Sequence, residues 1–292
     1  MRAFLQVQFQ LPRLPTSMDD LLKNLTIGLF AFLIVHRGLE DRARHDTARQ
    51  VREAFDNTGS VWAKIEPRGM LGLFASDVWA VDIYGKGIRT ERLPFSLYPR
   101  PGWKGSIRHL RLHLTDFTLA GLPIDRFEAD VPFVTYDIGH ALWKDRIVLR
   151  DAGTGCAEVR VSAQGLRSFL LRKYETRLSD VLIWQQNRKI YLRGTFSLFA
   201  APLPFVASGR FAPRAGRYID LIEPTFFLNR APATPQMTEF ILKQINPVLD
   251  TERDLGLGGF FTIETVEIGE DGLRIRGQTT IPPASETPMR RP

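Results

Sequence analysis

The chain alternates apolar and polar side chains over long stretches, and a period of two marks strands that bury one face. Asp77–Tyr84 sets Trp79, Val81 and Ile83 on one side. Ile107–Leu119 sets Leu110, Leu112 and Leu114 against His109, Arg111 and His113. After the turn Gly121-Leu122-Pro123, Asp125–Tyr136 carries Phe127, Ala129, Val131 and Phe133 on one face. The period then changes. Over Gly165–Tyr174, Leu166, Phe169, Leu170 and Tyr174 recur at helical spacing, with Arg167, Arg172 and Lys173 on the other side. Four strands follow: Leu178–Trp184, Lys189–Phe199, Leu203–Phe211 and Arg217–Leu228. The second carries Ile190, Leu192, Phe196 and Leu198 on one face; the third carries Leu203, Phe205, Ala207 and Phe211. Pro224 inside the last strand predicts an edge position or a bulge. Thr234-Pro235 predicts a helix start, with threonine as cap and proline in the first turn. Met237, Phe240, Ile241, Ile245 and Val248 form the stripe of that helix, and Pro247 kinks or ends it. Phe260–Ile268 and Leu273–Ile281, joined by Glu270-Asp271-Gly272, predict a closing hairpin.

Upstream, Leu25–Val35 is the most apolar run. It is shorter than the roughly 20 residues of a membrane-spanning helix, but it fits the apolar core of a signal-type segment. It predicts an uncleaved anchor or a helix half-sunk in a bilayer, with a buried helix of the fold as the alternative. A charged helix over Leu39–Phe55 follows, with Ala43, Thr47, Val51 and Phe55 on one stripe. Trp62–Glu66 is a short strand, and Leu93–Gly105 is a loop rich in proline and glycine. This gives three expected regions: an N-terminal extension with an anchor-like segment over 1–36, a domain over 37–282, and a loose tail over 283–292. A break near 151–155 divides the domain into two halves, each a helix followed by strands.

Strands of about a dozen residues, at about 3.3 Å each, give roughly 40 Å of sheet. The elements predict an α+β fold in which a long, strongly curved antiparallel sheet wraps around a few helices and forms an elongated apolar groove.

Composition sharpens this picture in two places. Phenylalanine is abundant, with 20 copies against 6 tyrosines and 5 tryptophans, and its ring brings area without a polar group needing a partner. The net charge is +7, which raises anionic membranes, acidic ligands and nucleic acid as partners. The basic residues are scattered singly between strand positions without a dense run, so nucleic acid is not an expected partner. Cys156 is the only cysteine, which excludes an intrachain disulfide.

Catalytic signatures are missing. Ala207-Ser208-Gly209 lacks the first glycine of a nucleophile elbow. His109 and His113 share a strand face about 13 Å apart, too far to hold one ion. Gly256-Leu257-Gly258-Gly259 precedes a strand, so a hairpin or loop kink is expected there instead of a phosphate loop. Asp145, Asp151 and Glu158 read as solvated turn residues. No metal, cofactor or enzymatic activity is expected.

Three strings carry a family resemblance: Ser162-Ala163-Gln164-Gly165-Leu166-Arg167-Ser168-Phe169-Leu170, Lys189-Ile190-Tyr191-Leu192-Arg193-Gly194 and Ile245-Asn246-Pro247-Val248-Leu249-Asp250. With the order of elements, they make residues 37–281 resemble the LmeA-like phospholipid-binding family, which belongs with the tubular lipid-binding folds. The resemblance implies non-enzymatic binding or transfer of phospholipid, or another acyl lipid, at a bacterial cell envelope. Membrane association would run through Leu21–Val35. Acyl chains are expected against Leu110, Leu112, Leu114, Phe127, Phe133, Phe169, Phe196, Leu198, Phe205 and Phe211, under Phe240, Ile241 and Ile245. Arg167, Arg172 and Lys173 are candidates to meet a headgroup, with snorkelling surface residues as the alternative. The rival readings are a β-rich envelope scaffold whose core is filled by its own side chains and, further off, a lipid esterase.

Overall fold

The period-two alternation resolves into two sheets. The computed structural model describes residues 44–55, 58–68, 77–143, 147–175, 178–198, 201–269 and 271–284. The apolar run Leu25–Val35 and most of the expected tail lie outside these residues. Among the described residues, no helix is long and apolar enough to cross a membrane.

The chain enters as helix α1 (residues 44–54) and continues into β1 (Ser60–Pro67), β2 (Asp77–Lys86), β3 (Arg89–Thr90), β4 (Lys104–Leu119) and β5 (Leu122–Asp137). A short helix α2 (Ile138–Trp143), β6 (Leu149–Asp151) and β7 (Gly155–Val161) follow. After helix α3 (Ala163–Lys173) come β8 (Leu178–Gln186), β9 (Lys189–Leu198), β10 (Ala201–Arg214), β11 (Tyr218–Leu228) and β12 (Ala231–Pro232). Helix α4 (Pro235–Ile245), β13 (Leu249–Asp250), β14 (Phe261–Gly269) and β15 (Gly272–Thr279) complete the order.

The fold is α+β, as the alternation predicts. The first sheet runs β1-β2-β4-β5-β7-β15-β14, with β3 on β4 and β6 on β5. Here β2 and β3 lie parallel to β4, and the other pairings are antiparallel. The second sheet, β12-β11-β10-β9-β8 with β13 on β11, is antiparallel throughout. The break at 151–155 is a turn inside the first sheet, because β7 pairs directly with β5. The closing hairpin joins that same sheet through β15 and β7.

The inner face of the first sheet is filled by its own side chains. Leu110, Leu112, Leu114 and Phe127 are all buried there. Phe127 packs against Phe117, Phe117 against Phe55 of the segment ending α1, Phe55 against Phe95, and Phe95 against Phe260, with ring centroids 6.2–6.5 Å apart. This chain of rings ties β5, β4, the end of α1, the loop that holds Phe95, and Phe260 into one core. The outer face is polar: Glu158 on β7 accepts from Arg160 and Arg276, which hold its carboxyl below the usual range although burial pushes the other way.

Faces change at one end of this sheet. The alternation places Trp79 with Val81 and Ile83, and Phe133 with Phe127 and Val131. Trp79 is exposed while Val81 and Ile83 are buried, and Phe133 is 69% exposed. Both stand between buried neighbours, Val78 and Ala80 around Trp79 and Val131 and Val134 around Phe133, so the faces change by local irregularity: the β1–β2 register shifts opposite Trp79, and Phe133 adopts a left-handed backbone, φ 53°.

Candidate lipid-binding cavity

The second sheet differs from the first in the size of its inward side chains. Along β9 they are Ile190, Leu192, Gly194 and Phe196, and along β10 they are Leu203, Phe205, Ala207, Gly209 and Phe211, in register. Ala207 and the two glycines occupy the middle positions, and of the three Ala207 lines the cavity. A side chain at either glycine would press on its neighbours. A Cβ on Gly209 would stand 2.7 Å from Leu221 Cδ1, and one on Gly194 would stand 3.1 Å from Phe205 Cε1.

Two bulges keep the lining pointing inward. On β11 the register shifts opposite Ser208–Arg210, and Glu223 sits at φ 48°. The extra residue lets Leu221 pair with Phe211 and Phe226 pair with Ala207 on the same face, although they are an odd step of five positions apart. The bulge is the outcome that Pro224 predicts. On β8 a second shift between Ser179 and Leu182, with Asp180 at φ 54°, does the same for Leu178 and Ile183.

Helix α4 spans the open side as a strap. Thr234 caps it by accepting from the Met237 amide, and Pro235 occupies the first turn, as the sequence predicts. Eleven residues at about 1.5 Å rise give roughly 16 Å, and the five-residue step from Phe226 to Leu221 at about 3.3 Å gives the same. Both ends are fastened to those residues. The Ala233 amide donates to the Phe226 carbonyl (2.9 Å). The Asn246 side chain accepts from the Leu221 amide (2.9 Å) and donates to its carbonyl (3.1 Å). Between the fastenings no residue of α4 is fully buried, and Phe240 is 43% exposed.

Sheet, strap and the end of α3 enclose an apolar cavity of about 810 Å³, counting the space open at its mouth. Phe196, Leu203, Phe205, Ala207, Phe211, Leu221 and Phe226 supply the sheet side, Ile241 and Ile245 the strap, and Leu170 and Tyr174 the α3 side. Leu178, Leu192, Leu228 and Val248 complete the lining. No polar atom is exposed to it. The Tyr174 hydroxyl is already engaged, donating to the Ile245 carbonyl (3.1 Å), and burial together with the nearby Asp254 carboxylate pushes its pKa up to about 12.

Of the thirteen residues that the sequence suggests for acyl chains, the structure brings together Phe196, Phe205, Phe211, Ile241 and Ile245. Leu110, Leu112, Leu114 and Phe127 belong to the filled first sheet, and Phe169 is buried on α3 outside the cavity lining. Phe133 is at the far end of β5, Phe240 faces outward on α4, and the Leu198 side chain lies outside the described residues. The three headgroup candidates hold α3 in place. Arg167 donates to the Val181 carbonyl, and Arg172 donates to the Ala120 carbonyl while lying over Phe169. Lys173 pairs with Asp254 and donates to the Val248 carbonyl.

The three strings quoted above now have physical roles. Ser162 caps α3 and is itself held by Asp125, and a Cβ on Gly165 would press on the Pro123 carbonyl at 2.8 Å. Ile190, Leu192 and Gly194 face inward on β9. The string 245–250 closes the strap: Asn246 staples it, a cis peptide leads into Pro247, Val248 lines the cavity, and Asp250 takes a two-toothed bond from Arg217 (2.7 and 2.9 Å).

Residues 103–278, more than half of the chain, match the family model described as LmeA-like phospholipid-binding. The chain belongs to this family. The matched region runs from the start of β4 into β15, so it contains the whole second sheet, α3, α4 and every residue of the cavity. No curated protein and no solved structure matches the chain. Membership makes lipid binding the activity to account for, and the family is a lipid-binding one. Among the described residues, no cluster of metal-ligating side chains is present.

Proposed function

We propose that this protein holds a phospholipid, or another acyl lipid, by its hydrocarbon in the cavity of the second sheet, and moves it at a bacterial cell envelope without chemical change. The observation that carries this reading is a hollow with a wholly apolar lining, open at its mouth, inside the family-matched region. Its length fits the cargo. From Leu203 to Phe211 the sheet extends roughly 26 Å at about 3.3 Å per residue, against about 15 Å for the hydrocarbon of one leaflet. Each methylene sheltered there contributes about 0.8 kcal/mol. The lining carries no nucleophile–base pair, which favours carriage over hydrolysis. Membrane association through Leu21–Val35 completes the proposal, since a carrier must meet the bilayer that supplies its cargo.

Native mass spectrometry of the protein with added phospholipid tests it. The native chain is expected to carry lipid adducts. Ala207→Trp, which fills the middle of the cavity, is expected to lose them while staying folded. Equal adducts on both proteins, or none on either, would remove the cavity from the account. The scaffold reading keeps one supporting observation, the filled first sheet, and predicts no adduct on the native chain.

A further inference from the structure

The end of the first sheet remote from the cavity carries aromatic rings that the packing does not use. Trp103 is 77% exposed and Trp143 is 84% exposed, and Phe133 and Trp79 join them on neighbouring strands. Isolated apolar residues are common at surfaces, but several large rings at one end of a domain mark a contact.

The rings are not on loose chain. Trp103 closes the proline- and glycine-rich loop, and that loop is pinned at both ends. The buried Arg150 guanidinium donates to the carbonyls of Gly102 (3.1 Å) and Trp103 (3.4 Å). The Tyr98 amide donates to Leu149 (2.7 Å), and Leu97 exchanges hydrogen bonds with Pro282 and Ala284.

Cations accompany the rings. Arg100, Lys104 and Arg108 are exposed here, and none pairs with a carboxylate among the described residues. Arg108 lies over the Trp79 ring at 5.1 Å. The nearby carboxylates are engaged elsewhere: Asp77 with Arg68 and Ser106, Asp137 with the His140 amide, and Asp151 with the Ala152 amide. The chain also enters at this end. The Gln50 side chain accepts from the Ile147 amide, while Phe55 packs on Phe117, so α1 starts at this end of β4 and runs toward the other.

We propose that this end of the first sheet docks onto an anionic phospholipid bilayer, with Trp103, Trp143 and Phe133 at headgroup depth and Arg100, Lys104 and Arg108 against the lipid phosphates. Tryptophan with arginine or lysine is the composition that sits at that depth. The inference deepens the proposed membrane association and does not depend on the cavity. Counting the 15 steps of β4 at about 3.3 Å, docking here leaves the cavity up to roughly 50 Å away along the sheet, with its mouth free.

Tryptophan emission in vesicles carrying brominated acyl chains tests the docking on the full chain. A protein with Trp62→Phe, Trp79→Phe and Trp184→Phe keeps only Trp103 and Trp143. It is expected to lose most of its emission on vesicles of phosphatidylglycerol and phosphatidylcholine. A protein with Trp79→Phe, Trp103→Phe and Trp143→Phe keeps only Trp62 and Trp184, and its emission is expected to persist. Arg100→Gln, Lys104→Gln and Arg108→Gln are expected to weaken vesicle association roughly fivefold for each charge removed, with less effect at high salt. Equal quenching in both proteins, or in neither, overturns the proposal, and so does a charge variant that binds as the native chain does. A dimer in solution that Trp103→Ser with Trp143→Ser breaks would also overturn it, assigning the surface to a second copy. Lipid adducts should survive in all docking variants, and Ala207→Trp should still bind vesicles, so failure of this proposal and failure of the cavity reading are distinguishable.

Discussion

The hydroxyl of Tyr174 donates to the main-chain carbonyl of Ile245 across 3.1 Å, tying the end of α3 to the last turn of the strap over the cavity. Such a bond contributes about 1 kcal/mol and leaves an unpaired carbonyl when removed. Tyr174→Phe is therefore expected to lower stability by about 1 kcal/mol and to speed lipid release from a loaded protein. Stopped-flow transfer of a fluorescent lipid to acceptor vesicles reads the release, and an unchanged rate would remove the clasp from the exchange step.

The same tyrosine sets an alkaline limit. Its pKa is raised from 10 to about 12, so the folded state keeps a proton that the unfolded state gives up. Its share of stability is complete below pH 10 and is lost as pH rises to about 12. Urea unfolding across that window should show the decline in the native chain and a smaller one in Tyr174→Phe.

At the other end of the pH scale, the Arg217 bond and the amides of Arg253 and Glu252 hold the Asp250 carboxyl at about 2, against the opposing effect of burial. A depressed carboxylate stabilises above its ordinary value of 3.8, and that stability fades as pH falls toward about 2. Asp250→Asn is expected to cost about 2 kcal/mol at neutral pH. The gap to the native chain should close in acid, and a gap that stays constant with pH would contradict this account.

Asn246→Ala removes both staples to Leu221 and leaves an amide and a carbonyl without partners. The expected cost is about 1–3 kcal/mol. Hydrogen exchange should rise over α4 first and leave β4 and β5 unchanged.

The proposed recognition by hydrocarbon alone has a quantitative signature. Each methylene added to an acyl chain should tighten binding roughly fourfold until the cavity is full, at about 0.8 kcal/mol each. Changing the headgroup on a fixed pair of chains should do far less. A steep headgroup dependence with a flat chain-length dependence would contradict the apolar lining.

Much of this was legible in the chain because period two and helical spacing are local signals. The strands Asp125–Tyr136 and Lys189–Phe199 and the capped helix from Pro235 fall where the alternation predicts them, within a few residues. Leu192, Leu203 and Ala207 share predicted faces with Phe196 and Phe205, so the sheet side of the cavity was within reach. Leu221 and Phe226 were not, because the bulge at Glu223 reverses the alternation between them. The partition into one filled and one hollow sheet is a matter of volume. Leu110 and Phe205 look alike in a hydropathy pattern and both are buried, and only the cavity lining, which includes Phe205 and not Leu110, tells them apart.

That partition bears on how the protein survives an empty interval. The stack from Phe127 through Phe117, Phe55 and Phe95 to Phe260 is packed ring against ring, and none of these rings lines the hollow. On the proposed function, release of a guest would leave that stack in place, and the vacated molecule would be fit for another round.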